Sequence, residues 1–111
     1  MDQVVTLRPA PPPSHAFQRA ELYQIMGVYG RMVALGIAKD YAIDHLGDRA
    51  VVSIFRRAAE TPMYRVEKCP RDAKRQGAYS VVGMDGRILK RGHELAQVLK
   101  VLERKLIKAV D

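Results

Sequence analysis

The sequence predicts an α+β fold. A five-stranded antiparallel meander sheet is flanked by an N-terminal and a C-terminal helix, in the order α-β-β-β-β-β-α. Three observations carry this reading. Residues 40–57 hold two runs whose apolar positions agree on one face if Gly47-Asp48 is a two-residue turn. Residues 78–91 hold two more β-rich runs around Asp85-Gly86, the strongest short turn signal in the chain. Both ends of the chain switch from period two to helical spacing.

Residues 1–15 read as a flexible tail and residues 16–111 as a single domain. Pro9, Pro11, Pro12 and Pro13 forbid helix and favour extended, solvated backbone. A helix is predicted over 17–35, where Leu22, Ile25, Met26, Tyr29 and Val33 make an apolar stripe that Val28, Met32 and Leu35 widen. So wide a stripe predicts cover on more than one side. Val28, Met32 and Leu35 are therefore candidates for a protein interface, such as a homodimer. Gly27 and Gly30 inside the helix predict close approach of its backbone to the sheet.

The first hairpin sets Leu46 opposite Arg49, His45 opposite Ala50, Ile43 opposite Val52 and Tyr41 opposite Ile54. Tyr41, Ile43, Ala50, Val52 and Ile54 then share the buried face, with Asp40, Asp44, Arg49 and Ser53 on the other. A third strand is predicted over 63–68, with Tyr64 and Val66 on one face and Arg65 and Glu67 on the other. Pro70 ends it, and residues 71–76 suit one helical turn closed by Gly77. The second hairpin pairs 78–83 with 87–91, setting Ser80 opposite Arg91, Val81 opposite Lys90, Val82 opposite Leu89 and Gly83 opposite Ile88. The last helix, 93–110, has Leu95, Val98, Leu99, Leu102 and Leu106 as its inner stripe. Consecutive antiparallel strands usually neighbour one another, hence the meander.

At 111 residues the chain suffices for one domain with its own core. Its single cysteine, Cys69, has no partner for an internal disulfide and no zinc-site spacing, which predicts a reducing, cytoplasmic setting. No apolar run is long enough for a membrane span, and the N-terminus lacks a secretory pattern.

Net charge is +7 and unevenly spread. Residues 65–91 hold eight basic side chains against three acidic ones, a balance of +5. The meander gathers Lys68, Arg71, Lys74, Arg75, Lys90, Arg91 and His93 at one end of the sheet, with Tyr79 nearby as a stacking face. That constellation predicts a non-enzymatic nucleic-acid-binding or regulatory protein, with DNA favoured over RNA. An acidic protein surface is the alternative partner, and a protein–protein adaptor working through the first helix is the alternative function. Salt dependence separates them, because phosphate binding weakens as counterions compete.

Other candidates point less far. His45 reads as a partly buried histidine. Asp40 and Asp44 share a strand face, where they are either neutralised by Arg49 or Arg57 or free for metal or acid–base chemistry. Cys69 lies among Lys68, Arg71 and Lys74, a setting that favours a thiolate. No nucleophile elbow, phosphate loop or HExxH occurs, and neither catalysis nor a cofactor or metal is expected.

Five segments resemble a known family: YGRMVALG (29–36), DYAIDHLGDRAVVSIFRRA (40–58), PMYRVEK (62–68), RQGAYSVV (75–82) and GRILKRGHEL (86–95). They look like the small alphaproteobacterial proteins grouped as a domain of unknown function, over about residues 17–103. The resemblance implies an intracellular bacterial protein with no assigned activity, so no functional residue is carried over from it.

Overall fold

The computed structural model describes residues 15–57 and 61–110, with side chains as far as 108. The proline-rich stretch through residue 14 lies outside the described residues. Two helices, α1 (Arg19–Ala34) and α2 (Leu95–Val110), flank five strands in chain order: β1 (Asp40–Leu46), β2 (Arg49–Phe55), β3 (Tyr64–Lys68), β4 (Tyr79–Gly83) and β5 (Ile88–Gly92). One short 3-10 turn, Pro70–Asp72, follows β3. The sheet is the predicted meander, β1-β2-β3-β4-β5, with every neighbouring pair antiparallel.

The β1–β2 register matches the sequence reading at all four positions named above. Gly47 takes φ +53, the left-handed geometry that a tight reversal needs and that glycine accepts without strain. The second hairpin departs from its reading. The reversal is centred on Met84 and Asp85, with the Gly86 N–H donating to the Gly83 carbonyl and Gly86 itself at φ +86. The ladder then pairs Val82 with Ile88 and Val81 with Lys90, so Leu89 is an extra residue in a bulge. The reason is burial. In the unshifted register Leu89 would share Val82's open face. The bulge turns it against the core and leaves Ile88 outside.

Both helices cover one face of the sheet. Ala50, Val52, Ile54, Val66 and Val81 supply the sheet side of the core, and Leu95, Val98, Leu99, Leu102 and Leu106 supply the α2 side, as the spacing predicts. On α1 the buried line is Glu21, Ile25, Val28 and Met32. The expected stripe was centred about one residue too far round the helix. Tyr29 is only partly buried, and Val33 is exposed. This corrects the interface assignment: Val28 and Met32 are each 2% exposed inside this chain's own core, and only Leu35 faces outward, at 46%.

Gly27 and Gly30 are also corrected. Both sit on the exposed side of α1, and a methyl group at either would meet nothing within 4 Å. Arg31 reaches across to Glu103 at 3.0 Å, which joins α1 to α2. Among the described residues no helix is long and apolar enough to cross a membrane.

Candidate nucleic-acid interface

The meander brings one rim of the sheet together from four pieces of chain. The Gly47-Asp48 reversal, the 69–78 connection, the end of β5 and the starts of both helices all meet there. The connection is built tightly. The Cys69 N–H donates to the Ala78 carbonyl at 2.7 Å, and Asp72 accepts through its own carbonyl from Arg75, Gln76 and Gly77. Gly77 closes the turn at φ +103, where a Cβ would lie 2.1 Å from the Gly92 carbonyl carbon. Only glycine fits there, and the contact fixes the connection against β5 and His93.

Cations predicted for this site divide into two groups. Arg71, Lys74 and Arg75 lie on the exposed connection, and Arg91 joins them by donating to the Gln76 side-chain oxygen. Arg71 is held loosely, 3.6 Å from Asp48, with its side chain 76% exposed. Among the described residues Lys74, Arg75 and Lys90 form no ion pair. Lys90 lies on the sheet edge and His93 just before α2, both exposed.

Lys68 and Tyr79 are withdrawn from that surface, which corrects their assignment. Lys68 continues the inward parity of Tyr64 and Val66 and is 9% exposed. Its ammonium donates to Glu21 Oε1 at 2.8 Å and to the Ala16 carbonyl at 3.0 Å. The Tyr79 hydroxyl donates to Glu21 Oε2, and the Gln18 N–H caps Glu21 Oε1 at 2.7 Å. Burial pushes the Glu21 carboxyl upward, but the donors Lys68, Tyr79 and Gln18 outweigh it and hold the group below its ordinary value. Burial, and then the bond to Glu21, pushes the Tyr79 hydroxyl up to about 12. This cluster fastens the start of α1 to β3 and β4 and is structural. A sequence signal existed for it: Glu21 falls on the line of Ile25, Val28 and Met32, and Lys68 on the parity of Val66.

Two arginines lie on the open sheet face, Arg49 at the rim and Arg65 toward the far end of β3. Arg49 donates to Glu67 at 2.8 Å and to Asp48 at 3.1 Å, and the Glu67 bond, then that to Asp48, holds its guanidinium firmly charged. Arg65 lies 3.4 Å from Glu67. Arg49 therefore neutralises Asp48 and Glu67, and not Asp40 or Asp44, the carboxylates for which the sequence offered Arg49 or Arg57. The Cys69 thiol is buried and donates to Asp48 at 3.6 Å. Burial first, and then the charges of Asp72 and Asp48, push it up, so a thiolate is not favoured despite the neighbouring cations. His45 is exposed on the edge strand, its ring 5.9 Å from that of His15, and not partly buried as expected.

Comparison with known families matches residues 15–99 to the family described as "Protein of unknown function (DUF2794)". The chain belongs to that family. The match spans α1, the whole sheet, all of the basic rim and the first turn of α2. Neither a curated protein nor a solved structure matches the chain.

Proposed function

We propose that this member of the family binds nucleic acid through the rim formed by Arg71, Lys74, Arg75 and Arg91, with Lys90 and His93 beside it. It acts by binding and not by catalysis. The observation that carries the reading is the separation within the basic segment. Lys68 is consumed by the buried Glu21, while Lys74 and Arg75 stay exposed with no ion pair among the described residues, on a connection that Gly77 seats against Gly92. Exposed cations on a fixed scaffold suit phosphate oxygens, which attract without reading sequence. With the Tyr79 hydroxyl bound to Glu21, the contact is mainly electrostatic and tolerant of sequence. DNA and RNA duplexes both satisfy it, and DNA is the first ligand to try. The reading suits a cytoplasmic protein, where the lone buried thiol of Cys69 stays reduced.

The test is fluorescence anisotropy with a labelled DNA duplex at several salt concentrations. With four phosphate contacts, log K is expected to fall against log salt with a slope of about −3 to −4. Changing Arg71, Lys74, Arg75 and Arg91 together to alanine is expected to weaken binding by at least about tenfold and flatten the slope. An unchanged affinity in that variant at low salt would remove the proposal.

A further inference from the structure

The two edges of the sheet are protected differently. β5 is five residues long, broken by the Leu89 bulge, and carries Lys90 and Arg91. Short length, a bulge and cations are the usual means of keeping an edge from pairing. β1 has none of them. It runs seven residues in unbroken register with β2, without proline, glycine, lysine or arginine. Tyr41 and Ile43 on its helix side are each 43% exposed. The Tyr41 ring meets the Tyr29 ring edge-on at 5.1 Å, so the apolar strip continues onto the flank of α1. On the opposite side Asp40 and Asp44 are exposed, and among the described residues neither pairs with a cation.

We propose that the outer edge of β1 receives an added strand from a partner segment in which apolar and basic residues alternate. Backbone groups of β1 that point away from β2 supply the ladder bonds. Apolar side chains of the incoming strand lie opposite Tyr41 and Ile43, and its lysines or arginines lie opposite Asp40 and Asp44. The pattern follows from strand periodicity, which keeps cross-strand neighbours on one face. A second copy of this chain fits poorly: β1 against β1 would bring four carboxylates to one seam with no cation among them. β1 against the β5 of another copy meets the bulge, and such a head-to-tail contact does not close. The surface is separate from the basic rim, and the inference does not depend on nucleic-acid binding.

Two short fluorescein-labelled peptides test it, one alternating valine with lysine and one alternating valine with glutamate. The lysine peptide is expected to bind saturably and at least roughly tenfold more tightly than the glutamate peptide. Ile43→Lys, an inward-pointing charge at an exposed position that the fold tolerates, is expected to lower that affinity roughly tenfold or more. The double variant Asp40→Asn, Asp44→Asn is expected to abolish the preference between the peptides. Equal binding of the two peptides by the unaltered protein would overturn the proposal, as would wild-type affinity in both variants. A dimer in sedimentation velocity that Ile43→Lys dissolves would also overturn it, since the occupant would then be a second copy.

Discussion

Lys68 and Arg71 lie three residues apart, carry the same charge, and have opposite fates. Lys68 is the last residue of β3, on the face the helices cover, and its ammonium is enclosed by Glu21 and the Ala16 carbonyl. Arg71 comes after Pro70 has ended the strand, and its guanidinium stands in solvent beside Asp48. The same contrast holds between Tyr79, bound to Glu21, and Arg75, exposed on the connection. Charge count alone cannot separate an anchoring cation from one available to a ligand. Strand parity and the point where a strand ends can.

The largest effect that breaks this contrast is expected from Lys68→Ala. It leaves the Glu21 carboxylate enclosed without its cation and should cost about 3–4 kcal/mol of stability, read from urea unfolding. Lys74→Ala and Arg75→Ala on the exposed connection should each stay within about 0.5 kcal/mol. Equal costs at the two kinds of site would show that the division is wrong.

Gly77→Ala comes next. A methyl group must enter space held by the Gly92 backbone at a positive φ, and a loss of about 3 kcal/mol is expected by thermal melting. Because Gly77 seats the connection against β5, DNA affinity should fall in the same variant below its melting temperature, although no cation has changed.

The pH profile sharpens the comparison further. Glu21 titrates below its ordinary 4.5 in the folded chain, so its contribution is complete above that value and is lost as pH falls through the folded pKa. Tyr79 is neutral in the fold up to about 12 against an ordinary 10.0, so its contribution is held below 10 and disappears as pH rises from 10 to 12. The urea midpoint should therefore decline at both extremes, and Tyr79→Phe should abolish the alkaline decline attributable to this hydroxyl.

The smallest effect is a gain. Gly27→Ala and Gly30→Ala place methyl groups in open space on the outer side of α1 and should each add about 0.5–1 kcal/mol. DNA affinity should not change, because α1 carries the anchoring carboxylate and none of the rim cations. A shift in affinity would mean that the two clusters are coupled.

Much of this organisation was legible along the chain. Period-two alternation fixed the β1–β2 register residue by residue, because both strands had to present one apolar face. The leucine spacing of α2 gave its buried line directly. The second hairpin was legible only in outline. Asp85-Gly86 marked a reversal, but the bulge depends on Leu89 finding the core, a contact across the sheet that no local signal contains. On α1 apolar residues cover so much of the circumference that periodicity alone could not say which line faced inward. That decision fell to the sheet and α2, which buried Val28 and Met32 and left Val33 and Leu35 outside.

By itself the sequence determined the element order, the meander and the rim that collects Arg71, Lys74, Arg75 and Arg91. Each follows from turn chemistry and strand periodicity, which act between near neighbours. Only the tertiary structure decided which charges were spent within the fold. Lys68, Tyr79 and Glu21 come from three separate elements and meet by packing, and the energy of a buried ion pair depends on surroundings that only a complete fold supplies.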